Sequence, residues 1–156
     1  MNDQKEQLIS TILKENQTIL KHLRIGLTRI IILWKINQGP TYGYDLMKTI
    51  DEFFKVEIEK GLINKANSSK IYPILKKFEE NGIITGEWEI KNEKRIKVYN
   101  ITEKGKLATE LLKDTVNDIT DGPEWENFLK DVFNEKITLL KKKKNERSYY
   151  QQYIKH

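Results

Sequence analysis

Apolar residues recur at helical spacing along the first quarter of the chain. A near-heptad stripe, interrupted by Asn16, predicts an N-terminal packing helix over residues 1–22. The richly apolar segment 27–34 predicts a second helix, because the apolar spacing continues there until Gly39-Pro40 stops it. The chain therefore begins with two helices that must pack against something.

A third helix is predicted after this break. Thr41 is placed to cap it, and its inward positions would be Leu46, Met47, Ile50 and Phe54. Residues 57–66 contain Gly61 and lose the periodicity, so we predict a loop there.

The segment after this loop predicts a helix with one apolar face. Asn67 or Ser68 can cap its start, and Gly82 can supply the left-handed residue that ends it. Pro73 cannot donate a backbone hydrogen bond, so the helix either begins close to Tyr72 or is kinked in its first turns. Four residues at i, i+3, i+4 and i+7 form the apolar face: Ile71, Ile74, Leu75 and Phe78.

The opposite face of this helix carries hydroxyl and ammonium groups. Such groups hydrogen-bond to phosphates and to the edges of bases. The residues concerned are Ser68, Ser69, Lys70, Tyr72, Lys76 and Lys77. We interpret this face as one that reads DNA.

Residues 84–90 and 94–101 are rich in β-branched and aromatic residues and predict a β-hairpin. The turn region, residues 91–97, holds four basic residues and one acidic residue. A helix followed by a basic hairpin predicts a winged helix, with Lys94, Arg95 and Lys97 as further DNA-binding candidates.

Two more helices are predicted after the hairpin. Thr102 can cap the first, Asp121-Gly122-Pro123 separates them, and the second runs from Trp125 to Leu140 into Lys141–Lys144. The apolar stripe of the last helix is too wide for a solitary exposed helix. In a monomer the first, penultimate and last helices would leave apolar surface exposed, which predicts a symmetric dimer. The dimerisation candidates are Ile9, Ile12, Ile19, Trp125, Phe128, Val132 and Phe133.

Composition limits the remaining classes of function. The formal charge of +5 comes entirely from residues 141–156, with six Lys or Arg and one Glu, so the DNA prediction depends on local patches. There is no cysteine, no phosphate-binding glycine loop and no cluster of metal ligands, which argues against an enzyme, a metal site and a cofactor. The longest apolar run, residues 30–34, is too short to cross a membrane, and no signal peptide opens the chain, so we expect a cytoplasmic protein.

Four motifs, in this order, resemble the PadR family of transcriptional regulators. Residues 39–46 are similar to the family's small-Pro-x-x-Gly-Tyr-acidic opening of its second helix, with Tyr42 where many members have His. Residues 69–83 resemble Ser-x-x-Tyr-Pro-x-Leu-Lys-x-Phe/Leu-Glu-x-x-Gly-Ile. Residues 88–99 resemble the family's wing, and residues 101–105 resemble its exit into the next helix. The resemblance covers residues 23–106 and implies a dimeric winged-helix repressor or activator whose DNA affinity often responds to a small molecule.

These observations predict a mainly α-helical protein with a small β-hairpin wing. Residues 1–22 would be a packing helix, residues 23–106 the winged-helix DNA-binding domain, and residues 107–156 a helical dimerisation region. We predict a repressor that binds an inverted-repeat operator in double-stranded DNA as a homodimer. The alternative is a winged-helix module that binds proteins and no DNA.

Several residues have simpler explanations. A small aromatic effector could bind at Trp125 or Trp34, although core packing is the commoner role of an indole. Lys141–Lys144 fits a solvated helix end better than a second DNA contact. His22 and His156 are most simply surface residues, and Asn16 is either exposed or pairs with a partner helix.

Overall fold

The computed structural model describes residues 3–133. The helices are α1 (Asp3–Asn37), α2 (Gly43–Phe53), α3 (Lys55–Glu59), α4 (Ser68–Glu80), α5 (Glu103–Ile119) and α6 (Pro123–Phe133). The strands are β1 (Thr41–Tyr42), β2 (Ile84–Lys91) and β3 (Lys94–Ile101). The predicted fold class, mainly helical with a small hairpin, is confirmed.

α1 is one continuous helix, so the prediction of two separate helices before Gly39 was wrong. Gly26 is the one glycine inside it, and a single glycine in a helix costs only about 1 kcal/mol relative to alanine. No proline interrupts the hydrogen bonding between the two predicted segments. Asn16 is exposed on this helix and breaks the apolar stripe without breaking the backbone.

The core lies where the end of α1 meets α2, α4 and the sheet. Ile32 and Ile36 of α1 are completely buried, as are Leu46 of α2 and Leu75 of α4. Tyr99 brings β3 into the same cluster. The predicted inward positions of α2 and α4 are thus confirmed, and the packing fixes both helices against the hairpin.

The sheet has three strands in the order β1-β3-β2, and the short strand β1 was not predicted. Thr41 pairs with Tyr99 and Tyr42 with Val98. The prediction that Thr41 caps α2 was therefore wrong, because Thr41 lies in β1 and pairs with β3. The N-cap position belongs to Tyr42, whose side chain makes no capping hydrogen bond.

The predicted loop over residues 57–66 was partly wrong, because Glu57 lies inside α3. The helical path resumes directly after Phe54, whose carbonyl accepts a hydrogen bond from the Ile58 amide at 3.1 Å. Glu57 accepts a hydrogen bond of 2.7 Å from Arg24 of α1, and this ion pair ties α3 to α1.

The wing, formed by β2 and β3, is the predicted β-hairpin. Its strands pair antiparallel and are joined by a two-residue turn. Asn92 and Glu93 both have positive φ, at 49° and 63°. This is the conformation of a type I′ turn, whose twist matches that of the flanking strands.

α5 begins as predicted, because the Gly105 amide donates to Thr102 Oγ1 at 3.0 Å. Asp121-Gly122 separates α5 from α6, also as predicted. The structure divides into two units between Glu110 and Leu111, within α5. The predicted continuation of the last helix to Leu140 and the run Lys141–Lys144 lie outside the described residues.

Candidate nucleic-acid interface

Both ends of α4 are defined by specific hydrogen bonds. Asn67 Oδ1 accepts from the Lys70 amide at 3.2 Å and caps the start. At the other end Gly82 has a φ of 69°, and the Ile83 amide donates to the Phe78 carbonyl at 2.9 Å. This is the Schellman arrangement, which needs a left-handed residue at the position of Gly82.

Pro73 lies inside α4, so the alternative that the helix begins close to Tyr72 was wrong. The missing amide of Pro73 removes one helical hydrogen bond, to the carbonyl of Ser69. Ser69 is exposed, so water can satisfy this carbonyl. The helix therefore starts at Ser68 and presents its serines on the first turn.

A groove of about 1030 Å³ lies between α4, the start of α2 and the wing. We call it the helix–wing groove. It brings together six of the nine predicted DNA-binding residues, which are Ser68, Ser69, Tyr72, Lys76, Arg95 and Lys97. All but Lys97 are exposed.

The three remaining candidates lie outside the helix–wing groove. Lys70 lines a second cavity of about 630 Å³ on another side of α4. Lys77 is in the last turn of α4, and Lys94 follows the turn of the wing. All three side chains are exposed, so charge is available around the groove as well as in it.

Tyr72 and Gly43 bring α4 into close contact with the start of α2. A Cβ added at Gly43 would lie 2.7 Å from the phenol oxygen of Tyr72, so the Tyr72 side chain would have to shift to make room for it. In the present arrangement the phenol of Tyr72 lies directly over Gly43. The contact joins two of the sequence motifs that were recognised separately.

Two cations of the wing lie over aromatic rings that line the groove. The Arg95 guanidinium lies 4.6 Å from the centre of the Trp88 ring, and Lys91 Nζ lies 4.9 Å from that of Tyr42. Such pairs stabilise the cation's position without neutralising its charge. Tyr42, Tyr44 and Trp88 line the groove but were not predicted as site residues.

The pairing of β1 with β3 explains why Tyr42 and Lys91 were missed. β1 has only two residues, which is too short for a strand signal in the sequence. Because of its charge, Lys91 was included in the basic segment 91–97, but it was not named as a DNA-binding candidate. Its position above Tyr42 depends on the register of the sheet.

Lys97 and Glu79 form an ion pair across the groove. Lys97 Nζ donates to the two carboxylate oxygens of Glu79 at 2.8 and 3.0 Å. Tyr99 is buried next to this pair. Burial, followed by the charges of Glu79 and Tyr72, raises the pKa of Tyr99 to about 12.

The predicted effector residues occupy separate places. Trp34 is 47% exposed and packs edge-to-face on Phe53, with ring centres 5.8 Å apart. Trp125 packs edge-to-face on Phe128 within α6, at 5.5 Å. Neither indole lines the helix–wing groove or the second cavity.

The predicted dimerisation residues have uncovered apolar side chains. Ile9, Ile12 and Ile19 of α1 are 43%, 49% and 63% exposed. Phe128, Val132 and Phe133 of α6 are exposed to a similar degree, and Trp125 is partly buried. Each of the two helices thus carries an apolar stripe that is exposed among the described residues.

Within residues 3–133, no three His, Cys, Asp or Glu side chains form a group that could hold a metal ion. His22 is exposed, and His156 lies outside this range. Among the helices so described, none combines the length and apolarity needed to span a membrane.

Comparison with known sequences identifies similarity to transcriptional regulators. The model of the "Transcriptional regulator PadR-like family" matches residues 32–111, just over half of the chain. A "Negative transcriptional regulator PadR" from Bacillus subtilis is 36% identical over 89 residues. That match covers 56% of this chain but only 41% of the Bacillus protein's length.

Solved structures agree with the fold. A PadR-like transcription factor from Bacteroides fragilis superposes with a TM-score of 0.52 at 17% identity, over 66% of this chain and 92% of that one. A PadR-family regulator from Eggerthella lenta gives a TM-score of 0.49 at 21% identity, over 78% and 93%. At such identities the first similarity shows the fold alone, a PadR-like winged helix.

The family match includes the end of α1, β1, α2 to α4, the whole wing and the start of α5. All the elements that line the helix–wing groove, which are β1, α2, α4, β2 and β3, lie within this match. Proteins of this family regulate transcription and are not enzymes, so the prediction of a non-enzyme is confirmed. The chain belongs to the PadR-like family of transcriptional regulators.

Proposed function

We propose that this protein binds operator DNA as a homodimer and represses transcription. The observation that carries the proposal is the helix–wing groove, in which exposed serines and Lys76 of α4 face Arg95 of the wing. A helix of this kind fits the major groove of DNA, while the wing contacts the adjacent backbone or minor groove.

The groove residues divide into two roles by chemistry. Tyr72, Lys94 and Arg95 would contact phosphates, which supplies affinity and orientation. Four residues of α4 would lie nearest the base edges: Ser68, Ser69, Lys70 and Lys76. Lys77, exposed in the last turn of α4, would add charge beside them. Lys97 was predicted from the sequence as a DNA-binding residue, and its ammonium group is paired with the carboxylate of Glu79.

Homodimerisation is supported by the apolar stripes of α1 and α6. Large exposed apolar surfaces are uncommon on monomeric proteins and mark association sites. A dimer with twofold symmetry would present two copies of α4, which matches an inverted-repeat operator. Because the protein would act on chromosomal DNA, we also propose that it is cytoplasmic.

The repressor assignment is supported by the Bacillus relative, which is described as a negative regulator. The match covers less than half of that protein, so the sign of regulation needs its own experiment. A reporter gene under the protein's own upstream region should be expressed more strongly when Arg95→Ala replaces the normal protein. Lower expression in that strain would indicate an activator.

A small aromatic effector completes the proposal. It would bind beside Trp125 or Trp34, whose indoles are each packed against one phenylalanine ring. Quenching of tryptophan fluorescence by flat aromatic compounds should then be lost in Trp125→Leu or in Trp34→Leu. If both variants are quenched like the normal protein, the effector binds elsewhere, and the second cavity behind α4 is the next place to test.

A mobility-shift assay tests DNA binding directly. The duplex should contain the region upstream of the protein's own gene, and a shuffled duplex of equal composition serves as the competitor. Arg95→Ala should reduce the shift, while Lys113→Ala, which removes an equal charge from exposed α5, should not. Failure to shift any upstream duplex would favour the alternative, a winged helix that binds protein.

A further inference from the structure

Glu79 is an acidic residue in a groove that we propose for DNA. It lies on α4 and lines the helix–wing groove together with Lys76 and Arg95. An unpaired carboxylate at this place would repel phosphates, and the low dielectric at a protein surface strengthens such repulsion. The arrangement around Glu79 therefore determines how well the groove accepts DNA.

Lys97 neutralises Glu79 with well-defined geometry. The two hydrogen bonds of 2.8 and 3.0 Å engage both carboxylate oxygens, and the side chains of Lys97 and Glu79 are only 24% and 28% exposed. Most surface ion pairs contribute little because long side chains must be ordered. Here the Lys97 ammonium is also held 5.5 Å from the ring centre of Tyr99 and 5.9 Å from that of Trp88.

Gly86 provides the path that lets Lys97 reach α4. A Cβ added at Gly86 would lie 2.3 Å from Lys97 Cε and 3.0 Å from Glu79 Oε2. Gly86 is in β2 and pairs with Tyr99 of β3. A side chain at this position would force the end of Lys97 to move from the place that it occupies now. Three residues from α4, β2 and β3 thus build one cross-connection, which we call the Gly86–Lys97–Glu79 bridge.

Lys97 cannot serve the carboxylate of Glu79 and a DNA phosphate equally well. Its ammonium has three donors, and two hydrogen bonds already go to one carboxylate group. Transfer of Lys97 to a phosphate would leave Glu79 unpaired in the groove and remove the connection between the wing and α4.

We propose that Lys97 is a positioning residue of the DNA-binding surface: it holds the wing on α4 and neutralises Glu79, and it does not contact phosphate. The proposal rests on the proposed DNA-binding function and assigns Lys97 a role different from that of Arg95. Operator affinity then depends chiefly on the neutralisation of Glu79, and the two residues are coupled.

Binding of operator DNA by four proteins tests this assignment: the normal chain, Glu79→Gln, Lys97→Met and the double variant. Lys97→Met should weaken binding by roughly tenfold, a typical coupling between charged neighbours, and leave the salt slope unchanged. The double variant should recover much of this loss, because no unpaired carboxylate remains. Glu79→Gln alone should not tighten binding.

A phosphate contact predicts the opposite pattern. The double variant would then bind as weakly as Lys97→Met, Glu79→Gln would bind more tightly, and loss of Lys97 would lower the salt slope by about 0.9 per site. Any of these three results would overturn the proposal.

Gly86→Ala tests the bridge without changing charge. The added methyl group should displace Lys97 and weaken operator binding about as much as Lys97→Met does. Gly26→Ala is the matched control, because a Cβ there would meet nothing within 4 Å. Normal binding by Gly86→Ala, in a protein shown to be folded by circular dichroism, would contradict the bridge.

A measurement without DNA separates the bridge from the proposed function. Nitrogen-15 relaxation of the free protein should show increased motion of wing amides in Lys97→Met and in Glu79→Gln, while α4 stays rigid. If the normal protein binds no duplex, the DNA proposal fails and this motion still tests the bridge. An unchanged wing in both variants would show that the bridge does not position it.

Discussion

At the scale of single residues, the helix–wing groove combines serine hydroxyls with cations held by aromatic rings. Arg95 is placed over Trp88, and Lys91 over Tyr42, so each charge is oriented before any DNA arrives. Lys76 has no such support and projects from α4 into the groove. The structure thus suggests different roles for cations of the wing and of the helix.

Arg95→Ala and Lys76→Ala should separate these roles. Arg95→Ala should weaken operator and random DNA alike and flatten the salt slope, as expected for a phosphate contact. Lys76→Ala should weaken operator binding more than random binding, by about 1–3 kcal/mol, if Lys76 contacts a base. Fluorescence anisotropy with both duplexes measures the two effects, and equal losses from Lys76→Ala would assign it to phosphate.

Tyr99 predicts a loss of stability at high pH. Its pKa is raised from 10.0 in the unfolded chain to about 12, chiefly by burial, so the folded protein favours the neutral phenol. The stabilisation is complete below pH 10 and is lost as the pH rises from 10 to 12, by about 3 kcal/mol at most.

Urea unfolding of the normal protein and Tyr99→Phe across this pH range tests the prediction. The phenylalanine variant keeps the buried ring but cannot ionise, so its stability should fall less between pH 10 and 12. Other groups that titrate there, such as lysines, affect both proteins and cancel in the difference. Parallel curves for the two proteins would show that the pKa of Tyr99 is the same in the folded and the unfolded chain.

At the scale of elements, the sequence predicted what local chemistry controls. The apolar face of α4, its Asn67 cap and its Gly82 end follow from spacing and from two residue types, and the structure confirms them. The hairpin was also correct, because β-branched strands flank a short polar turn.

Features that depend on distant contacts were missed. β1 is a strand because Thr41 pairs with Tyr99, 58 positions later, and no local pattern encodes this. The Lys97–Glu79 pair depends on how the wing packs on α4. Five of the six predicted DNA-binding residues in the groove are exposed, as expected. The periodicity of a helix or strand shows which side chains point away from the core, so their exposure can be predicted from the sequence.

The packing of α5 on the end of α4 gives a test at this scale. A Cβ added at Gly105 would lie 2.1 Å from the carbonyl oxygen of Ile83, and backbone cannot move away as a side chain can. Gly105→Ala should therefore destabilise the protein by about 1–3 kcal/mol. Gly26→Ala, in open space within α1, should instead stabilise it by up to about 1 kcal/mol.

Urea unfolding at one fixed protein concentration measures both glycine variants. Opposite signs of the change in unfolding free energy are expected. A Gly105→Ala protein as stable as the normal chain would mean that α5 does not pack on Ile83 as described.

At the scale of the whole molecule, the DNA recognition and the association that we propose use different parts of the chain. The helix–wing groove lies within residues 42–99, whereas the uncovered apolar stripes lie on α1 and α6. A change in association can therefore be made without altering a groove residue.

Ending the chain at Gly122 removes α6 and its four apolar candidates, which are Trp125, Phe128, Val132 and Phe133. Each is worth about 1.5–3 kcal/mol when fully buried, so a dimer that uses them should weaken by several kcal/mol. Sedimentation at micromolar concentration should show a monomer that has lost operator binding, with the wing and α4 still folded. An intact dimer would place the main contact on another element.

The dependence of operator affinity on salt tests the central claim, DNA binding through the helix–wing groove, most directly. The measurement uses a duplex with two half-sites about 10 bp apart, centre to centre. If each subunit of a dimer neutralises three phosphates, affinity should fall roughly a thousandfold between 50 and 200 mM salt, with a smaller slope for Arg95→Ala. Binding that is insensitive to salt, or no preference for the inverted repeat over a shuffled duplex, would contradict the account.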